Sequence, residues 1–191
     1  MKRQRLKITR REFLIGMTAA GTGFSLGMSL PMAVAKTAVS GSTEASATPE
    51  VNAWVVIEPD DTVIIRIARS EMGQGTLTGL AQLVAEELEC DWSKVTTEYP
   101  TPGQSLARDR AWGSFSTGGS QGIRGSHDYV RKGGAVAREM LIEAAAEAWD
   151  VPMDECAAAN SIITHKPTGR TASYGTVAAA AAQLIPPFEV E

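Results

Sequence analysis

Cysteine and histidine are scarce in this chain of 191 residues, which contains two of each. Cys90 and Cys156 are far apart and form no CxxC pair, so the chain lacks the closely spaced ligands that zinc and iron–sulfur sites require. We predict two buried, inert thiols, and their spacing leaves a disulfide open. The isolated His127 and His165 are predicted to be surface or capping residues rather than ligands.

An excess of basic residues is also missing once the N-terminal segment is set aside. Residues 1–35 contain six of the 18 Lys and Arg residues and one of the 22 Asp and Glu residues, so the remainder carries 12 against 21 and a net charge of −9. Affinity for nucleic acids depends on clustered cations that pair with phosphates. The acidic remainder therefore predicts that no nucleic acid is a partner.

The first 35 residues have the layout of an export signal, in which a basic segment precedes a weakly apolar run that ends in Ala33-Val34-Ala35. The pair Arg10-Arg11 within "TRREFLIG" is typical of a twin-arginine signal. This route exports folded proteins, often with a cofactor already inserted, and it predicts the periplasm or the periplasmic face of the inner membrane. A short membrane anchor is the alternative, and cleavage after Ala35 or retention of the segment stays open.

Residues 36–50 are small and polar and predict a disordered linker, so the folded part is expected at residues 51–191. Alternation and turn composition predict two β-hairpins and an extra strand, packed with three or four helices of 3.6-residue periodicity. The expected strands are Trp54–Ile57, Thr62–Ile67, one within "SKVTTEYP", and a hairpin in "SIITHKPTGRTASY". The expected helices run from Leu77 to near Cys90 with Thr76 as N-cap, from Ile123 to Trp149, within "VPMDECAAAN", and from Tyr174 to Leu184. Residues 101–120 are predicted to be a loop, and the class is α+β.

Two glycine-rich segments each precede a predicted helix. Gly73-Gln74-Gly75 lies between a strand and a helix, and "STGGS" at residues 116–120 repeats the arrangement. A helix N-terminus favours an anion, and glycines let a phosphate approach the backbone closely. Because no Lys-Ser or Lys-Thr follows the glycines, neither segment is a P-loop. The pair predicts two contacts to one extended, phosphorylated cofactor, and the alternative is two ordinary helix-entry turns.

The segment "SEMGQGTLTGLAQLVAEELECDWSKV" resembles the molybdenum-cofactor-binding subunit of the xanthine dehydrogenase/aldehyde oxidoreductase family, in particular its isoquinoline 1-oxidoreductase β-subunit type. The resemblance continues through "STGGS" and extends from about Val51 to Leu184. It implies that the chain is part of a larger molybdopterin-binding domain. The residues that it places at the cofactor are Met72, Gly73, Gln74, Gly75, Thr76, Thr117, Gly118, Gly119 and Ser120.

The resemblance also implies the cofactor, the reaction and the partners. The expected cofactor is molybdenum bound to molybdopterin, in the cytosine dinucleotide form, and two-iron–two-sulfur clusters are expected on a partner subunit. The implied reaction is hydroxylation of an aldehyde or an N-heterocycle with oxygen from water. The implied partners are the small iron–sulfur subunit and, as a second candidate, a cytochrome c subunit.

Family members are several times longer than this chain, and their general-base glutamate lies far downstream, so no residue of this sequence matches it. Glu71 lies beside the glycine motif but does not match that position, and we assign it no catalytic role. We therefore expect the N-terminal segment of a molybdenum hydroxylase large subunit, inactive alone, as a fragment, a truncated product or one piece of a split subunit. The alternative is an exported, non-catalytic module that binds a partner protein.

Overall fold

The structure is a computed structural model that describes residues 50–187 and 190. The predicted signal segment, residues 1–35, and residues 36–49 of the predicted linker lie outside the described residues. Glu50, the last residue of that linker, is ordered, because it bridges to Val56 and its carboxylate pairs with Arg66 and Arg108 at 2.6 Å each. The folded part thus includes a residue that we predicted to be disordered.

The described residues form an α+β fold with two three-stranded sheets and five helices, which confirms the predicted class. The strands are β1 (Val55–Ile57), β2 (Val63–Arg66), β3 (Val95–Glu98), β4 (Cys156–Ala159), β5 (Ile162–His165) and β6 (Arg170–Ser173). The helices are α1 (Thr76–Leu88), α2 (Pro102–Leu106), α3 (Gln121–Arg124), α4 (His127–Trp149) and α5 (Tyr174–Ala181). Within this part of the chain, no helix has the length and hydropathy needed to cross a bilayer.

Both predicted hairpins are present, one in each sheet. In the first sheet β1 pairs antiparallel with β2, and β3, the predicted extra strand, pairs with β2 in parallel. Since parallel neighbours need a long crossover, α1 makes the connection between β2 and β3. In the second sheet β5 pairs antiparallel with both β4 and β6. The glycine motif at residues 73–75 therefore lies at the carboxyl end of β2, where the chain leaves the first sheet for α1.

The predicted short helix in "VPMDECAAAN" is wrong, because its alanine-rich half is strand β4. Only Met153–Glu155 forms a single 3₁₀ turn before β4 begins. Alanine favours helices, but tertiary pairing overrides local propensity, and here Cys156 lies opposite His165 on β5. The side chains of Cys156 and Ala158 are buried, as the two-residue period of a strand requires.

The prediction of one helix from Ile123 to Trp149 is also wrong, since the chain breaks at Gly125-Ser126 between α3 and α4. The Ser126 hydroxyl is fully buried, and it accepts hydrogen bonds from Arg69 Nε at 3.0 Å and from the Tyr129 hydroxyl at 2.6 Å. These bonds hold the residue at the junction of the two helices. The last helix, α5, ends at Ala181 rather than Leu184.

The segment predicted as loop, residues 101–120, contains the short helix α2. Thr101 and Gln104 form a capping box around Pro102, a pattern that is readable in the sequence. Beyond α2 the segment is anchored by Trp112, which is 2% exposed. The guanidinium carbons of Arg66 and Arg108 lie 5.9 and 5.5 Å from the Trp112 ring centroid.

Helices α1 and α4 pack closely because α4 has glycine at the contact. A Cβ built on Gly134 would lie 2.5 Å from the Val84 carbonyl oxygen of α1, and one on Gly133 would lie 2.8 Å from the Trp54 ring. The prediction that Gly133-Gly134 is a bend or a point of close packing resolves to close packing. The contact holds the C-terminal half of α1 against α4.

Candidate functional site

The first glycine loop is closed by the carboxylate of Glu71. Glu71 Oε1 accepts from the amides of Gly73 at 2.7 Å and Gly75 at 2.9 Å, and Oε2 accepts from the Leu77 amide at 2.9 Å. The hydrogen bonds from the Leu77 and Gly75 amides are the main reason that the pKa of Glu71 lies below its usual value. The N-terminus of α1, predicted to receive an anionic ligand, thus holds an anion of the chain itself.

The Gln74 side chain is also engaged within the loop. Its Oε1 accepts from the Met72 amide at 2.6 Å, and its Nε2 donates to the Ser70 carbonyl at 2.8 Å. Both flanking glycines have positive φ, 93° at Gly73 and 76° at Gly75, a region that glycine enters at little cost. The side chains of Glu71 and Gln74 thus hold the backbone of the loop in this shape.

Thr76, predicted as the N-cap of α1, is the first helical residue, and Gly75 is the cap. The Thr76 side chain is buried against α3, and a Cβ built on Gly122 would lie 2.9 Å from Thr76 Oγ1. This glycine lets the first turns of α1 and α3 approach each other. The starts of the two helices, and the loops that precede them, are therefore neighbours.

The second glycine loop is joined to the first by Arg69, Ser70 and Thr117. Arg69 Nη1 donates to the carbonyls of Ser114 and Ser116 at 2.7 and 2.6 Å. The Ser70 amide donates to Thr117 Oγ1 at 2.9 Å. Gly119 and the following Ser120 both have positive φ, 57° and 58°, which turns the chain into α3. The prediction that a long helix follows this loop is wrong, since α3 has four residues.

A pocket of about 370 Å³ opens where the two loops meet. Six of the nine predicted cofactor residues line it, and the three others, all glycines, set the turns around it. The lining residues are Met72, Gln74, Thr76, Thr117, Gly118, Ser120, Gln121, Gly122 and Ile123. All are uncharged, so the pocket offers hydroxyl, amide and backbone groups to a ligand. The sequence predicts that the two loops contact one ligand, and the structure brings the loops together at this pocket. It adds Gln121, Gly122 and Ile123, which the sequence pattern did not predict.

The glycines of the site leave room for a cofactor to approach the backbone. A Cβ built on Gly73, Gly75 or Gly118 would meet no atom within 4 Å, so these residues face open space. Hydroxyl and amide groups that can both donate and accept suit a heterocycle rich in polar edges. The residues present thus fit the approach of a molybdopterin, although the amides at the start of α1 are already bound to Glu71.

The remaining candidate groups lie outside this site. His165 is buried at 3% exposure, which corrects the predicted surface position; it bridges Thr168 at 2.7 Å and Glu155 at 2.8 Å. His127 is partly exposed and contacts Asp128. Cys90 and Cys156 are free thiols; Cys156 is buried, as predicted, whereas Cys90 is only partly buried. Burial raises the pKa of the Cys90 thiol to about 12. Within residues 50–187, no cluster of three acidic, histidine or cysteine side chains could hold a metal.

Comparison with protein families gives a match over residues 4–190 to the molybdopterin cofactor-binding domain. The chain belongs to this family. The match includes both glycine loops and every residue of the pocket between them.

Two curated relatives are similar over nearly the whole chain. The chain is 33% identical over 175 residues to "Isoquinoline 1-oxidoreductase subunit beta" of Brevundimonas diminuta, which is 91% of this chain and 22% of the relative. It is 32% identical over 179 residues to "Membrane-bound aldehyde dehydrogenase [pyrroloquinoline-quinone]" of Gluconacetobacter polyoxogenes, 93% of this chain and 22% of the relative. The chain thus spans about a fifth of the length of the relatives that it matches.

Two solved structures are also similar to this chain. Quinoline 2-oxidoreductase from Pseudomonas putida 86 matches with a TM-score of 0.49 and 17% identity, over 71% of this chain and 17% of that one. The Cu,Mo-CO dehydrogenase matches with a TM-score of 0.48 and 22% identity, over 66% of this chain and 15% of that one.

Proposed function

We propose that this chain is the N-terminal segment of the large subunit of a molybdenum hydroxylase, and that its two glycine loops contact the cofactor. The observation that carries the proposal is the pocket between the loops, because six predicted cofactor residues from two distant parts of the chain line it. Membership of the molybdopterin cofactor-binding domain family supports the ligand class. A bound molybdopterin would supply the two-electron redox chemistry.

Each residue group of the site has a distinct part in this proposal. The open faces of Gly73, Gly75 and Gly118 admit the cofactor to the backbone, and the side chains of Thr76, Ser120 and Gln121 offer polar contacts inside the pocket. The uncharged lining favours hydrogen bonding over ion pairing as the means of recognition. The general base of the reaction lies outside this chain.

The reaction and the partners of the complete protein follow from its relatives. We propose oxidation of an aldehyde or an N-heterocycle, with oxygen from water and electrons passed to two-iron–two-sulfur clusters on a small subunit. The names of the two relatives, an isoquinoline oxidoreductase subunit and an aldehyde dehydrogenase, support these substrate classes. The cytosine dinucleotide form of the cofactor, a cytochrome c subunit and a periplasmic location belong to the same proposal.

The first test is the metal content of the complete protein that carries this segment, purified from cells supplied with molybdate. We expect stoichiometric molybdenum and an extractable pterin. Because one relative carries pyrroloquinoline-quinone in its name, the same preparation is assayed for that quinone. Quinone without molybdenum, or a chain that purifies with a partner protein and no cofactor, would overturn the proposal; the latter result identifies the non-catalytic module.

Replacement of Gln74 by Ala tests the role of the first loop. The substitution removes a pocket side chain and leaves the Ser70 carbonyl and the Met72 amide without their partner. We expect about tenfold weaker retention of molybdenum, equivalent to about 1.4 kcal/mol. The control is Gln183→Ala, because Gln183 is exposed and lies beyond α5. Equal molybdenum contents in the two variants would contradict the assignment of this loop.

A further inference from the structure

Three residues between β2 and the first glycine loop together contact both glycine loops. They are Arg69, Ser70 and Glu71. Arg69 and Ser70 reach forward to the second loop, and Glu71 closes the first. None of these three residues lines the pocket itself. They lie between the two loops and join them, so they are placed to set the distance between the loops.

Arg69 is a buried cation whose partners are all neutral. Its side chain is 9% exposed, and it donates to the Ser114 and Ser116 carbonyls, to Ser126 Oγ at 3.0 Å and to the Tyr129 hydroxyl at 3.3 Å. Among residues 50–187 no carboxylate forms an ion pair with it. A buried charge is costly unless it is hydrogen-bonded, and the planar fork of arginine satisfies several fixed acceptors at once.

The Glu71 carboxylate holds the first loop by hydrogen bonds, as the Arg69 guanidinium holds the second loop. One carboxylate oxygen holds the amides of both glycines, and the other holds the Leu77 amide in the first turn of α1. A helix N-terminus stabilises an anion at this place. The loop would otherwise have three unpaired amides and two glycines of high conformational freedom, and it would lose its single shape.

The contact between the loops is completed by the backbone of Ser70. Its amide donates to Thr117 Oγ1 at 2.9 Å, and its carbonyl accepts from Gln74 Nε2 at 2.8 Å. Consecutive residues thus hold the second loop, join the loops and hold the first loop.

We infer that Arg69 and Glu71 are positioning residues that preorganise the two cofactor loops before the cofactor binds. The inference rests on the proposed function for the identity of the ligand. Neither residue touches the pocket, so both act through the loops that line it. Glu71 acts as an internal anion in place of a ligand at the start of α1, and the cofactor approaches from the pocket side of the same loop.

The experiment uses the complete protein with Glu71→Ala, Glu71→Gln and Arg69→Lys, and Glu86→Gln as the control, since Glu86 is exposed on α1. Hydrogen exchange is measured at residues 72–78, and molybdenum retention is measured after prolonged dilution. We expect faster exchange and about tenfold faster molybdenum loss in Glu71→Ala. We expect an intermediate effect in Glu71→Gln, because the carboxamide keeps one acceptor oxygen and replaces the other by an NH2 donor. Arg69→Lys should release residues 114–117 in the same assay, because an ammonium cannot span the same acceptors.

Formate provides a readout that a general loss of stability would not change. In Glu71→Ala the amides of Gly73, Gly75 and Leu77 face the space left by the carboxylate, and we expect added formate to slow exchange and restore molybdenum retention. Formate should have no effect on the wild type, on Arg69→Lys or on the control.

The outcomes distinguish a failure of the positioning role of Glu71 from a failure of the proposed function. Unchanged exchange at residues 72–78 in Glu71→Ala, or no rescue by formate, would overturn the positioning role of Glu71 itself. Faster exchange with wild-type molybdenum retention would show that the loop is organised by Glu71 but is not a cofactor loop, and would overturn the proposed function. Unchanged exchange at residues 114–117 in Arg69→Lys would likewise overturn the positioning role of Arg69.

Discussion

At the scale of single residues, Gln74 and Glu71 both hydrogen-bond the backbone of the first glycine loop. The sequence pattern predicts a ligand contact for Gln74 and none for Glu71. Gln74 lines the pocket, but its side-chain oxygen accepts from the backbone of its own loop and its side-chain nitrogen donates to it. Glu71, to which the sequence assigned no role, holds three amides. Residue type states what a group can donate or accept, whereas only the fold determines which of its bonds are already made.

Asp61 joins three separate elements and is the basis for a prediction on stability. Its Oδ1 accepts from the Gly175 amide of α5 at 2.7 Å, and its Oδ2 pairs with Lys94 Nζ at 3.1 Å just before β3. Burial raises the pKa of Asp61, but hydrogen bonds with Ser173 and the Gly175 amide and the charge of Lys94 together outweigh it, so the pKa lies below its usual value. We expect Asp61→Asn to lower the free energy of unfolding at pH 7 by about 1–2 kcal/mol.

The pH dependence of this effect follows from the sign of the pKa shift. A carboxylate whose pKa is lowered on folding stabilises the protein above its unfolded pKa, and this contribution is lost as the pH falls through the folded value. The difference between wild type and Asp61→Asn should therefore shrink below about pH 4, as measured by urea unfolding from pH 3 to 7. Asp60→Asn is the control, since Asp60 is exposed and its hydrogen bonds are to the neighbouring Thr62 rather than to another element; an equally large effect there would refute the argument.

At the scale of elements, the two hairpins and the amphipathic helix α1 were predictable because their signals are local. Alternating apolar residues at Val63 and Ile65 and the periodic run from Leu77 reflect one buried face each. Strand β4 was not predictable, because its alanines gain their conformation from pairing with β5. The break before α4 depends on Arg69, a residue 57 positions away from Ser126. Such distant contacts leave no periodic signal in the sequence.

The packing of α1 against α4 gives a prediction at this scale. Because a Cβ on Gly134 would lie 2.5 Å from the Val84 carbonyl oxygen, Gly134→Ala must separate two backbones, and we expect a loss of about 1–3 kcal/mol in the free energy of unfolding. Gly103→Ala is the matched control, since its Cβ would meet only Thr101 Oγ1 at 3.8 Å. We expect the control to stay within about 0.5 kcal/mol of wild type. Equal thermal unfolding midpoints for the two variants would contradict close packing of the helices.

At the scale of the whole molecule, the described part has apolar side chains in contact with solvent. The large ones are Met72, Trp92, Tyr99, Leu106, Ile123, Ile162 and Ile185. Met72 is 69% exposed and, with Ile123, belongs to the pocket. Exposed apolar groups beside a ligand pocket are suited to cover by further protein or by the ligand. The chain spans 22% of the length of its curated relatives, and in the complete protein we expect further segments to pack over this side of the fold.

Export of the folded protein is the prediction that concerns the molecule as a whole. The predicted signal segment lies outside the described residues, and its decisive feature is the pair Arg10-Arg11. We expect the double substitution Arg10→Lys and Arg11→Lys to leave the protein in the cytoplasm, as measured by fractionation of the cells that produce it. The control, Arg3→Lys with Arg5→Lys, makes the same change in the same basic segment. Since both variants keep every positive charge, a difference between them isolates the requirement for the adjacent guanidinium pair. Equal export of the two would indicate that charge alone directs the segment and would remove the argument for transport in the folded, cofactor-bound state.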